Sequence, residues 1–257
     1  MDMSRKYVFA LLAIGTVLFL FNLGGRNLWE PDETRYAVIA REMKETGNSI
    51  LPKLNGEVYA EKPPLSFWLV NLSTFFLGRN NEFANRLPSA LAGLMILLVT
   101  FLLGEKLFSL RVGFLSAMVL GTCILFPQLS RWMMLDSLFA LFFLLALFCF
   151  YLGYEKEQRR RRYYLLAGLL TGLAILTKGP AAYLTLPIFL IFAGFQRNLK
   201  GFWCRDLLLG FLLSVMVVLI WWIPAWWVGG KDYIHWILLS RAFRSLEIGE
   251  FSEGLTS

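Results

Sequence analysis

Apolar residues occupy this chain in long unbroken blocks, and the charges gather in short clusters between them. A helix that crosses a bilayer needs roughly 17–25 mostly apolar residues. Uncharged blocks near that length cover residues 7–25, 87–104, 112–130, 137–154, 179–196 and 207–230. A seventh block, 163–177, is shorter, but Arg162 and Lys178 at its ends extend it by snorkelling. The pattern predicts an all-α polytopic membrane protein with seven transmembrane helices, residues 1–257 forming one membrane domain. The first block follows Arg5 and Lys6 and lacks a small-residue cleavage pattern, so it reads as a retained anchor.

The stretch "PPLSFWLVNLSTFFLG" (63–78) is ambiguous, because a crossing there would reverse every later helix. The bias of basic residues toward the inside decides it. Without a crossing, the inside segments hold Arg5 and Lys6, Lys106 and Arg111, Lys156 with Arg159 to Arg162, and Arg197, Lys200 and Arg205. A crossing would export the block "RRRR" (159–162). Residues 63–78 are therefore expected to lie as an interfacial helix on the outer surface, where Trp68 and its phenylalanines suit the headgroup region. The chain is expected in the cytoplasmic (inner) membrane with its N-terminus on the inner side. The long loop 26–86 and the C-terminal tail fall outside.

Composition agrees with this. Of 257 residues, 57% are hydrophobic and 17% charged, a balance that a soluble domain does not need. The net charge of +7 sits between apolar blocks, so it serves topology and excludes a nucleic-acid surface. Cys123, Cys149 and Cys204 show no CxxC spacing, so neither a disulfide framework nor a cysteine metal cluster is expected. His235 is the only histidine.

Loop 26–86 carries eight acids and eight bases. A passive connector is usually a few residues long, so this one is expected to be structured and chemical. Residues 32–46 are periodic, Pro31 suits the first helical position, and Gly47–Asn48 suits the stop. In that helix Asp32, Arg35 and Tyr36 share one face. First-turn acids such as Asp32 and Glu33 also favour the helix dipole by about 0.3–1 kcal/mol, which alone would explain them. Their place beside a span, where low dielectric strengthens charge, argues for more. Further outer charges are few: Tyr59, Glu61 and Lys62 in "VYAEKPPL", Arg131 and Asp136 in "RWMMLD", and Lys178 in "LTKGP". Arg131 and Lys178 are explained by snorkelling. Asp136 has a short side chain that snorkels poorly, and an acid at that depth points to function. Carboxylates and cations converging on one outer surface are suited to bind a phosphate and act beside it.

"EPDETRYA", "AEKPPLSFWL", "NEFANRLPSALAG", "RWMMLDSLFALF" and "LAILTKGPAA" occur in this order. Together they resemble the membrane glycosyltransferases of GT-C fold that use polyprenyl-phosphate sugars, the dolichyl-phosphate-mannose protein mannosyltransferase and lipid A aminoarabinose transferase family. The resemblance covers residues 28–182 and the N-terminal half of that fold. It implies an inverting transferase, with a polyprenyl-phosphate sugar as donor and a lipid or protein as acceptor. It implies Asp32, Glu33 and Asp136 as catalytic carboxylates, and Arg35, Tyr36, Tyr59, Lys62, Arg131 and Lys178 as donor-phosphate or substrate ligands. Glu61 matches a metal-ligand position of some relatives and His235 is the only partner for it, so the resemblance also allows a divalent metal; the sequence itself requires no cofactor. Relatives are longer, so a C-terminal half or a partner subunit is expected to complete the enzyme. The alternatives are a non-catalytic polyprenyl-phosphate-binding subunit, a truncated inactive fragment, or a transporter using Asp136 and Lys178. The last leaves loop 26–86 without a role.

Overall fold

The computed structural model describes residues 3–196 and 205–253; beyond residue 230, Tyr233 is the one side chain described. Its helices are α1 (Met3–Leu20), α2 (Asp32–Glu45), α3 (Leu65–Phe76), α4 (Glu82–Leu107), α5 (Leu110–Thr122), α6 (Leu125–Arg131), α7 (Leu135–Glu155), α8 (Arg160–Lys178), α9 (Thr185–Phe195) and α10 (Arg205–Glu253). Helix α10 is kinked at Gly230, whose φ of 69° lies in the left-handed region. The expected segments are helical in the described residues, and the count of seven spans is not confirmed by length and composition. Among the described residues, four helices are long and apolar enough to cross a membrane: α1, α4, α7 and residues 205–230 of α10. A bent pair, α5 with α6, makes a fifth at most. Helix α8, 19 residues long, starts with three arginines and ends in a lysine and is not among them; its charges sit at its two ends, where snorkelling applies. The expected span 179–196 divides into a 3-10 turn (Pro180–Leu184) and the eleven-residue α9.

Block 112–130 is also not one rod. Helices α5 and α6 meet at 69°. Pro127 explains the break, because a continuous helix would drive its ring into the carbonyl of Cys123, which is instead extended. Loop 26–86 folds into α2, α3 and a two-stranded antiparallel ribbon, β1 (Lys53–Leu54) and β2 (Glu57–Val58), a small departure from the all-α expectation. Asn55 and Gly56, both at positive φ, turn the ribbon. The Glu42 carboxylate of α2 accepts from both their N–H groups, at 2.7 and 3.1 Å, and so pins the ribbon to the helix. Helix α2 starts one residue after Pro31, and Gly47 follows its C-cap at φ 66° as expected. Helix α3 is about 18 Å long at 1.5 Å per residue, too short to cross and suited to the interface predicted for it.

Helices α8 and α10 approach closely because each is a glycine at the crossing. A Cβ on Gly168 would overlap the carbonyl oxygen of Gly210, and one on Gly210 would overlap that of Tyr164. Gly168→Ala is therefore expected to force the helices apart and lower stability by about 1–3 kcal/mol, measured as thermal unfolding in detergent. An unchanged melting point would show that the crossing is looser than this packing.

Candidate active site

The interior of α2 packs loop 26–86 onto the bundle. Tyr36, Ile39, Ala40 and Met43 form a core with Tyr59, Phe67, Met133 and Leu135, joining α2 to α3 and to the start of α7. This places three charged pieces of sequence around Tyr36. Asp32 and Arg35 form an ion pair on α2, both partly exposed. Asp136, in the first turn of α7, pairs with Lys178 at the end of α8. The Tyr59 hydroxyl donates to Glu61 at 3.1 Å. Burial pushes the Tyr36 phenol up to about 12, and Asp32, Asp136 and Glu61 add to the shift. One phenol thus senses all three carboxylates at once. Tyr59 moves in the same direction, through burial and then Glu61. Both phenols stay protonated at neutral pH, Tyr59 with its proton given to Glu61.

Arg35 keeps its charge between Asp32 and two phenols. Burial alone lowers its pKa, but the hydrogen bond to Asp32 and the nearby phenols raise it overall. Its guanidinium lies 5.6 Å from the Tyr36 ring centroid. Its Nε is buried with no partner among the described residues. A buried, unsatisfied N–H costs about 1–3 kcal/mol, a deficit that an incoming oxygen would remove. Next to this charge cluster lies a cavity of about 360 Å³, bounded by Glu61, Lys62, Gly179, Tyr183, Trp221 and Trp222 among others. Its walls are mainly apolar, with charge at Glu61 and Lys62.

Two expected site residues belong elsewhere. Glu33, expected beside Asp32 as an acid of the reaction, is completely buried. Arg86 donates to both its oxygens, at 2.8 and 2.9 Å. The Met133 N–H adds 2.7 Å and the Trp29 N–H 2.8 Å. Burial pushes the Glu33 carboxyl up, but these hydrogen bonds outweigh it and leave it below the usual range. With both oxygens occupied inside the protein, Glu33 has no face for substrate. Arg131, expected near the donor phosphate, instead donates to the carbonyls of Leu18 and Phe21, both at 2.9 Å. It caps the end of α1. Arg131→Ala is expected to cost about 1.5–3 kcal/mol of stability, the value of a charged hydrogen bond, while leaving donor affinity unchanged. A binding measurement that drops without loss of stability would return Arg131 to the site.

Arg86 is the residue that sequence reasoning misses. It is fully buried, and beyond Glu33 it donates to the carbonyls of Leu23, Arg26 and Asn27 at 2.8–3.0 Å. A signal exists for it: a lone arginine among "FANRLPSA", inside a helix facing apolar neighbours.

No three of His, Cys, Asp and Glu form a metal-holding group among the described residues. The His235 side chain, like Arg197, Lys200 and Cys204, lies outside the described residues, so the expected Glu61–His235 pair has no geometry.

The profile of the dolichyl-phosphate-mannose-protein mannosyltransferase family matches residues 61–221. The chain is 34% identical over 246 residues to an undecaprenyl phosphate-alpha-4-amino-4-deoxy-L-arabinose arabinosyl transferase of Shewanella sediminis, covering 92% of this chain and 43% of that one. It is 36% identical over 181 residues to the enzyme of the same name from Enterobacter sp., covering 68% and 32%. A crystal structure of ArnT from Cupriavidus metallidurans bound to undecaprenyl phosphate superposes with a TM-score of 0.81 at 25% identity, covering 91% of this chain and 43% of that one. The chain thus spans about a third to less than half of the length of these relatives.

Proposed function

The chain belongs to the dolichyl-phosphate-mannose-protein mannosyltransferase family, and from that premise we propose that it carries the catalytic loop of a glycosyltransferase. The donor is a sugar on a polyprenyl phosphate. The acceptor is a lipid of the lipid A kind, or a protein, at the outer face of the cytoplasmic membrane. The single observation behind this reading is the grouping of Asp32–Arg35 and Asp136–Lys178 around Tyr36, beside an apolar cavity edged by Lys62. The undecaprenyl phosphate of the solved relative and the names of the curated relatives support the donor class. The relatives are more than twice as long as the stretch they share with this chain, and a C-terminal half or a partner subunit is part of this proposal.

In this mechanism Lys62, Arg35 and Lys178 neutralise the donor phosphate, Tyr36 donates a hydrogen bond to it, Tyr59 does so when its hydroxyl turns from Glu61, and the apolar cavity takes the first part of the lipid. The acceptor oxygen attacks the anomeric carbon as the bond from that carbon to the phosphate oxygen breaks. The electron pair leaves with the polyprenyl phosphate, where the cations offset the developing charge. Asp32 takes the acceptor hydroxyl proton. Asp136 holds Lys178 toward the phosphate and faces the positive charge that builds on the sugar ring. A single displacement inverts the anomeric centre. For the orientation, the inside bias of the basic clusters supports an outer site and an inner N-terminus.

A non-catalytic lipid-phosphate-binding subunit would use the same cations but would not need Asp32. Transfer from a radiolabelled polyprenyl-phosphate sugar by the full-length gene product, with and without Asp32→Asn, separates the two. Equal turnover in both forms would sink the catalytic role. Donor binding without turnover in either form would favour the subunit.

A further inference from the structure

The turn between α7 and α8 concentrates positive charge far from the site just described. Lys156, Arg159, Arg161 and Arg162 are all exposed there. Arg160, between them, pairs with Glu157 at 2.7 Å. Arg160 to Arg162 open α8, with no acid in its first turn and no side-chain cap. That placement is adverse twice over. The guanidiniums repel one another, and each sits at the positive end of the helix dipole. Arg205, also exposed, opens α10, whose Leu207 packs in one cluster with Tyr164 of α8 and Phe189 of α9. It adds a further cation at the same level.

Beside this turn runs an apolar face. Phe192 of α9 packs edge-on against Tyr151 and Tyr154 at the end of α7, with centroids 6.0 and 5.5 Å apart. Ala193 joins the same cluster as Tyr164, two residues past Arg162. These contacts bring the end of α9 to the level of the arginines. Its buried face is Phe189 and Ala193; its opposite face exposes Ile188, Ile191 and Phe195, the last at 85%. Cations above and an apolar stripe below match the two ends of one kind of molecule.

We propose that this basic turn and the outward face of α9 form a docking surface for an anionic phospholipid. Its phosphate lies against Arg159, Arg161 and Arg162, and an acyl chain follows Ile188, Ile191 and Phe195. The surface is distinct from the donor site. Asp136 and Lys178 stand at the opposite ends of α7 and α8, about 30 Å away along a helix of this length. Charge complementarity selects the headgroup: a phosphate with no compensating amine offsets the repulsion, whereas a zwitterion brings its own cation into it.

Native mass spectrometry of the detergent-purified full-length gene product tests this with phosphatidylglycerol and phosphatidylcholine. Phosphatidylglycerol should be retained over phosphatidylcholine. The triple variant R159Q/R161Q/R162Q should bind it about tenfold more weakly, while R159K/R161K/R162K should stay close to the parent. Removing charge at another turn, with K106Q/R111Q, should leave retention unchanged. The proposal fails if phosphatidylcholine is retained equally, if the glutamine variant keeps the lipid, or if the lysine variant loses as much as the glutamine one. It fails also if soluble glycerol 3-phosphate displaces the lipid at equal concentration, since the acyl stripe would then contribute nothing.

Discussion

Arg86→Ala should destabilise the protein by about 3–5 kcal/mol, read as thermal or denaturant unfolding in detergent, because it leaves the Glu33 carboxylate buried without its main partner. The loss goes further than one ion pair. Arg86 also closes the chain between α1 and α2 through three backbone carbonyls. Glu33 in turn holds the Met133 N–H, three residues before Asp136, and lies next to Asp32. One buried pair therefore sets the spacing of both carboxylates of the proposed mechanism. Glu33→Leu combined with Arg86→Met should recover part of the loss but not all. The pair itself is replaceable by apolar packing, whereas the carbonyls and the two N–H groups stay unpaired. Full recovery in the double variant would mean that the backbone contacts carry little.

The same network gives a pH dependence with a definite sign. The folded-state pKa of Glu33 lies below its ordinary value of 4.5. Its contribution to stability is therefore present above the unfolded value and is lost as pH falls through the folded one. Acid unfolding of the parent should gain a component that sets in below about pH 4.5, the ordinary value, and the Arg86→Ala form should lack this component.

The bundle is legible in the sequence because a soluble fold rarely needs apolar blocks of about 18 residues or more. The GT-C-like fold is legible only through the resemblance that the motif order carries. Where the sequence falls short, the missing information is usually tertiary. Asp32 and Glu33 lie about 100° apart, on either side of the centre of the apolar stripe of Tyr36, Ile39, Ala40 and Met43. Local periodicity cannot say which acid turns inward. The answer lies with Arg86, 53 residues later. Arg131 likewise ends on carbonyls 113 and 110 residues away, which no spacing rule reaches. Two misses are local and avoidable. Pro127 in the middle of block 112–130 marks the break between α5 and α6, and Asn55–Gly56 is a hairpin turn signal between two short extended stretches. The pairings Asp32–Arg35 and Asp136–Lys178 show the reverse case. The first is legible from helical spacing, while the second needs the α7–α8 packing to bring positions 42 apart together.

Asp32→Asn should then show the opposite signature to its neighbour. Its carboxylate is partly exposed and paired with Arg35 within one helical turn, an arrangement worth at most about 1 kcal/mol to the fold. Stability should barely change. Transfer should fall by about 10²–10⁴, the range for losing a positioned general base. The amide keeps the shape and still accepts a hydrogen bond from Arg35, so donor binding should survive and the loss should appear in kcat more than in KM. Glu33→Gln should reverse this, with a lowered melting point and a loss of activity that follows the unfolded fraction. If the acceptor is itself a phosphate, it arrives already deprotonated and needs no base. The Asp32→Asn loss would then shrink to what orientation and charge contribute, and the drop should be larger with a hydroxyl acceptor than with a phosphate one. Comparing the two acceptors on one variant thus separates proton removal from positioning. Equal, large losses with both would assign Asp32 to the sugar's developing positive charge and leave proton removal to another group.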